Sequence, residues 1–263
     1  MDPVHGIAPD LRIRDSASRD CSTNNIIIHY LGRSGCCVHE NSAETLKGLF
    51  EKISQNADVL VLCGDLTHLG MPKEAERLAD DLRACRIPVV GVLGNHDYQS
   101  GHMDEIKKIL RAAKVTILDE TETFELSGVG FAGVKGFGGG FDKHMLTPFG
   151  EEPIKHFVSE AVNESLKLEI ALKALDTEKT IVVLHYAPIA GTVAGEPPEI
   201  FPFLGSSRLA ETIDHFDVNA VFHGHAHHGT YEGKTTKGIP VYNCCLQLMQ
   251  RVSPEQLYAL VEV

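Results

Sequence analysis

The chain has 263 residues, a formal charge of −12, 43% apolar and 23% charged residues, a balance that suits a soluble globular protein and excludes fibrous or broadly disordered classes. Its length accommodates one large α/β domain or two small ones, and the lack of a long linker favours one. The acidic surplus, with no Lys/Arg cluster against it, disfavours long nucleic acid as a partner, and no apolar run reaches the length of a membrane span.

Residues 1–25 mix both charge signs with Pro, Ser and Asn and lack the apolar core of a signal peptide, so a disordered tail is expected there and a single domain over 26–263. Seven cysteines, an odd number with two adjacent pairs (Cys36 and Cys37, Cys244 and Cys245), make a poor disulfide framework and fit a reducing, cytoplasmic setting.

Short β-branched runs then alternate with helical patterns, the signature of a sheet built from βαβ units. The first run, from Ile26 to Ile28, is followed by RSGCCVHE (33–40) and by a helix predicted from Ser42, a plausible N-cap, to Gln55. VLVLCGD (59–65) reads as a buried strand ended by Gly64. Pro72 leads into a helix over 73–84, PVVGVLGNHD (88–97) repeats the strand-then-glycine pattern, and 104–113 is again helical.

From 115 to 134 the pattern predicts consecutive antiparallel strands, with turns at Asp119 and Gly128. Residues 135–152, KGFGGGFDKHMLTPFGEE, read as a surface loop covering a site. A long helix follows to about Asp176, with Ile154, Val158, Ala161, Ser165, Leu168, Leu172 and Leu175 on one stripe. TIVVLHYAP (180–188), NAVFHGHAHHG (219–229), IPVYN and the terminal LYALVEV are predicted strands; EPPEIFPF (196–203) reads as a rigid rim or a dimer contact, which leaves the oligomeric state open.

Four of these strands end in chemistry-bearing residues: Gly64-Asp65, Gly94-Asn95-His96-Asp97, His185-Tyr186-Ala187-Pro188 and Gly224-His225-Ala226-His227. The carboxyl ends of strands in an α/β sheet open into one crevice, so these groups converge though far apart in sequence. One carboxylate, one amide oxygen and several imidazoles suit borderline divalent metals such as Mn, Fe or Zn. Singly, each motif is an ordinary strand end, turn or surface pair; the four in this order point to a metal site.

GD, GNHD, HYAP and GHAH in this order resemble the calcineurin-like metallophosphoesterase superfamily, over residues 58 to 263. The resemblance implies a four-layer αββα sandwich, two facing mixed β-sheets flanked by helices, with two divalent ions at the strand ends. It implies hydrolysis of a small phosphomonoester or phosphodiester through a metal-activated hydroxide, the ions being about 3.5 to 4 Å apart. Carried over by position, Asp65 bridges both ions, Asn95, His185 and His225 complete one, and His227 serves the other. His96 faces the substrate as cationic stabiliser or general acid, oriented by Asp97 or another carboxylate.

The same resemblance calls for an Asp-x-His pair at the end of the first strand, and this chain has none; the expected positions fall near Gly35 and Cys37. Three explanations stand. Cys37, with Cys36 or His39, substitutes as a soft ligand; or the second site is lost, leaving one ion and a catalytically impaired binding or regulatory protein; or residues 12–38 carry a compensated reading-frame anomaly. His68, His223 and His228 stand beside the motifs without a safe role, Tyr98 and Tyr186 read as aromatic packing near the site, and Cys244 and Cys245 as core and edge positions.

Overall fold

Strands that are apolar at every position must be covered on both faces, and the computed structural model, which describes residues 46–254 and 261–262, meets this with two sheets. β1 (Leu60–Cys63), β2 (Val89–Val92) and β3 (Val115–Ile117) form a parallel three-stranded sheet in that order. The helices α1 (Leu46–Asn56), α2 (Pro72–Leu82) and α3 (Met103–Ala112) cover its outer face, where Leu60 and Leu62 pack with Phe50, Ile53, Leu78 and Ile106.

The second sheet runs β4 (Phe124–Leu126), β5 (Val129–Val134), β6 (Lys179–Leu184), β7 (Ala220–His223), β9 (Pro240–Asn243), β8 (Glu232–Lys234). Its centre is parallel and its two edge pairs are antiparallel. The helices α4 (Glu152–Lys173) and α7 (Ser207–Ile213) cover its outer face through Leu168, Leu172, Leu209 and Ile213. Alternate residues of both sheets, including Val61, Val92, Phe131, Val183 and Phe222, fill the space between them. The layers are helix, sheet, sheet, helix, as the sandwich expectation required.

Two expectations are corrected. Residues 115–134 are not a run of antiparallel strands: β3 is parallel to β2 because a helix, α3, returns the chain to the same edge, and only β4 and β5 form a hairpin, in the other sheet. The segment 196–203, read as a rigid rim or a dimer contact, leads into a single-turn helix, α6 (Phe201–Leu204), and another, α5 (Ala190–Val193), precedes it. Beyond β9 comes a further helix, α8 (Leu246–Val252), which packs Leu248 and Met249 between the sheets. Of the terminal segment read as a strand only Val261 and Glu262 are described, and neither is in a strand; the N-terminal tail, the Ile26 strand and Ser42 also lie outside the described residues. Of the expected stripe, Val158, Ala161, Ser165, Leu168 and Leu172 are buried, Ile154 is 42% exposed, and Leu175 lies past the end of α4 and is half-buried. No described helix is long and apolar enough to cross a membrane.

Phe131 is fully buried between the sheets. Phe131→Ala is expected to lower unfolding free energy by about 3–5 kcal/mol, measured by urea denaturation.

Candidate metal centre

β1, β2, β6 and β7 deliver their following residues to one place. Asp65, His185 and His225 offer ligand atoms that all lie within 4.8 Å of one another. Asp65 and His225 both adopt left-handed backbone, with φ of 53° and 68°, a conformation that costs a non-glycine residue stability and concentrates at functional sites.

The protonation pattern follows from the partners. Nδ1 of His185 donates to the Cys63 carbonyl at 2.9 Å, which leaves the Nε2 lone pair facing Asp65 Oδ1 at 3.4 Å and Asn95 Oδ1 at 2.8 Å. Burial lowers the His185 pKa to about 3, so the ring is neutral and three electron-rich atoms converge. Burial likewise lowers His225 to about 3, and its Nε2 donates to the Phe203 carbonyl at 3.2 Å, freeing Nδ1. Burial raises the Asp65 carboxyl, opposed by the His96 amide, which donates to Oδ1 at 3.0 Å. Lone pairs pressed together in this way are stabilised by a cation among them. A carboxylate, two imidazoles and an amide oxygen fit a Mn, Fe or Zn ion, so the residues present match the group the motifs imply.

His227 stands outside this tight group. Burial pushes its imidazole pKa down, against the pull of Glu196 first and Asp65 second. Glu196 escaped the reading of the sequence; it is 8% exposed and its Oε1 accepts the His228 amide at 2.6 Å. It stands at the head of the proline-rich segment, and only the folded loop buries it. Cys37 and His39 lie outside the described residues, and with them the choice among the three explanations of the first-strand gap.

His96 is placed at the rim, with Nε2 4.0 Å from Asp65 Oδ2. Asp97 makes no hydrogen bond to its ring: Nδ1 donates to the His68 main-chain carbonyl at 2.7 Å, and the His68 ring stacks on it at 5.6 Å. Asp97 is fully buried and accepts from the amides of Leu66, Thr67 and Gly94 and from the Thr67 hydroxyl, at 2.6 to 3.1 Å. It holds the β1 and β2 loops together, and burial raises its pKa to about 6. His223 is also interior, its Nδ1 donating to Gly224 O and its Nε2 facing the Thr192 hydroxyl, both at 2.8 Å. Asn243, another residue missed, donates from Nδ2 to Ala226 O at 2.7 Å and so steadies the loop carrying His225 and His227. Cys244 and Cys245 are both core residues.

Comparisons with known proteins agree with this geometry. A family model described as calcineurin-like phosphoesterase matches residues 28–229 and so takes in chain upstream of the four motifs. A Rhodococcus erythropolis protein named for cyclic nucleotide phosphodiesterase activity is 26% identical over 204 residues, 75% of this chain and 60% of that protein; the chain thus spans about three fifths of its relative's length. A Thermus thermophilus protein superposes with a TM-score of 0.50 at 16% identity, covering 84% of this chain and 89% of that one. Another crystal structure reaches a TM-score of 0.56 at 14% identity, covering 84% and 91%. These two likenesses show the fold alone.

Two outcomes are expected here. A Cβ at Gly94 would collide with Asp65 Oδ1 and lie 2.8 Å from His185 Cε1, so Gly94→Ala should abolish divalent-metal uptake, measured by elemental mass spectrometry on purified protein. Asp97→Ala strands four buried donors and should destabilise the fold by about 3 kcal/mol or more in chemical denaturation.

Proposed function

The chain belongs to the calcineurin-like phosphoesterase family, and on that premise we propose that it hydrolyses a small phosphodiester at the Asp65, His185 and His225 centre. The observation that carries this reading is the convergence of two neutral imidazoles and an amide oxygen on a buried carboxylate, with a separate imidazole, His96, at the rim. Asp65, Asn95, His185 and His225 would hold the ion, with His227 directed to a second. A bound divalent ion supplies charge neutralisation at phosphoryl oxygens and lowers the pKa of a coordinated water towards about 7.

The chain's own groups do the rest. The Cys63 and Phe203 carbonyls fix the two ligand imidazoles in the tautomer that presents a lone pair inward. The His68 carbonyl pins Nδ1 of His96 and leaves Nε2 to stabilise, and then protonate, the departing alkoxide. The name of the Rhodococcus relative supports diesters, and cyclic nucleotides are the first natural substrates to try.

One observation favours a second reading, a metal-binding regulatory protein with impaired catalysis: among the described residues only one ion's ligands form a tight group. Metal content and hydrolysis of bis(4-nitrophenyl) phosphate by metal-loaded protein decide between them. Turnover supports the esterase; one ion per chain and no turnover on aryl or cyclic diesters would establish the regulatory reading.

Within the esterase reading, Asp65→Ala is expected to lose bound metal and activity together. His96→Ala should keep its metal while kcat falls by roughly 10²-fold or more. Full activity in either variant would remove the assigned role.

A further inference from the structure

Lys135 follows β5 on the side of the crevice where the metal centre lies, and its surroundings are unusual for a lysine. Its ammonium stands 4.8 Å from the Phe137 ring centroid, 5.4 Å from that of Tyr186 and 5.6 Å from that of Tyr98. These rings come from the loops after β5, β6 and β2. Tyr186 lies in turn 4.5 Å from the His225 ring and 5.3 Å from the His185 ring, so the ammonium is one aromatic ring away from the metal ligands.

The ammonium carries three donors, and the fold engages one of them, in a hydrogen bond to Gly136 O at 2.8 Å. The neighbouring carboxylate does not pair with it: Glu164 takes the Gly136 amide on one oxygen and Lys167 Nζ on the other, both at 2.7 Å. Two donors therefore have no acceptor among the described residues; burial disfavours the charged form, and the charges of Glu164 and Glu160 favour it without hydrogen-bonding to it. Packing against three rings needs only the aliphatic stem, which methionine would supply without a charge to desolvate. Cation–π contacts to ring faces hold the charge in place but leave its hydrogen-bonding capacity unspent.

From this juxtaposition we propose that Lys135, framed by Tyr98 and Tyr186, is a subsite for a second phosphate group on the substrate, distinct from the ester being cleaved. The Tyr186 ring lies against the ammonium on one hand and the His185 and His225 rings on the other, which places the subsite beside the scissile group and not on it. A compact ammonium with free donors can meet a phosphate oxygen as a point charge. In a chain of net charge −12 such a cation gives a doubly anionic substrate its local attraction. The proposal rests on the phosphodiesterase reading and narrows its substrate to phosphodiesters that carry a further phosphate, which puts cyclic dinucleotides ahead of cyclic mononucleotides.

The test uses two matched chromogenic diesters, thymidine 5′-(4-nitrophenyl phosphate) with and without a 3′-phosphate, on manganese-loaded wild type, Lys135→Met, Lys135→Gln and Lys135→Arg. Wild type is expected to favour the 3′-phosphorylated diester in kcat/KM by about tenfold or more. Both neutral variants should bring that ratio close to one, mainly through KM, while cleaving the other diester at the wild-type rate; the arginine variant should keep most of the preference. A wild-type ratio near one, or an equal loss on both diesters in both neutral variants, overturns the subsite. Calorimetry with thymidine 3′,5′-bisphosphate and thymidine 5′-monophosphate on the same proteins separates the two claims. If neither diester is cleaved, the phosphodiesterase reading fails. A bisphosphate preference that vanishes on neutralising Lys135 still upholds the subsite, and equal affinities reject it.

Discussion

Asp97 has no access to water, and a buried carboxylate deprived of solvent must recover hydrogen bonds from the protein. It does so from the amides of Leu66, Thr67 and Gly94 and from the Thr67 hydroxyl, which belong to the two loops that leave β1 and β2. Because all four donors point at one residue, those loops have one arrangement relative to each other. Asp65 and Asn95 sit within them, and the Asp65 carboxylate then receives the His96 amide. Everything the centre does on the side of the first sheet follows from this knot, although Asp97 itself touches none of the open space.

The large features were legible in the sequence for a physical reason. β1, β2, β6 and β7 are apolar at consecutive positions because both their faces are covered, and each run stops abruptly where polar residues begin. Four such endings indicated a common crevice before any contact was known. The features that escaped are those whose cause is not local. β3 is three residues long, and its direction depends on α3 bringing the chain back rather than on its own pattern. α5 and α6 have four residues each, too few for a periodicity to show. α8 takes its place because Leu248 and Met249 close the end of the space between the sheets.

The site shows the same division. Asp65, His185 and His225 could be named because each follows closely on the end of an apolar strand. The partner of His96 could not, since it is a backbone carbonyl and every residue has one. Glu196 and Lys135 were hidden differently: one among prolines, the other before a run of glycines that drew attention to the backbone instead. Burial of Glu196, and the rings gathered round Lys135, arise only when loops from separate strands meet.

Asp65 and Asn95 hang from the three-stranded sheet, whereas His185 and His225 hang from the six-stranded one. A cation shared among them would therefore act as a rivet between the two halves of the sandwich, at the end where the strands give way to polar groups. Free energy of ion binding is then also free energy of sheet association. Chelation should then loosen the molecule, with faster amide exchange in the inner strands near the crevice and little change at the far end of the sandwich.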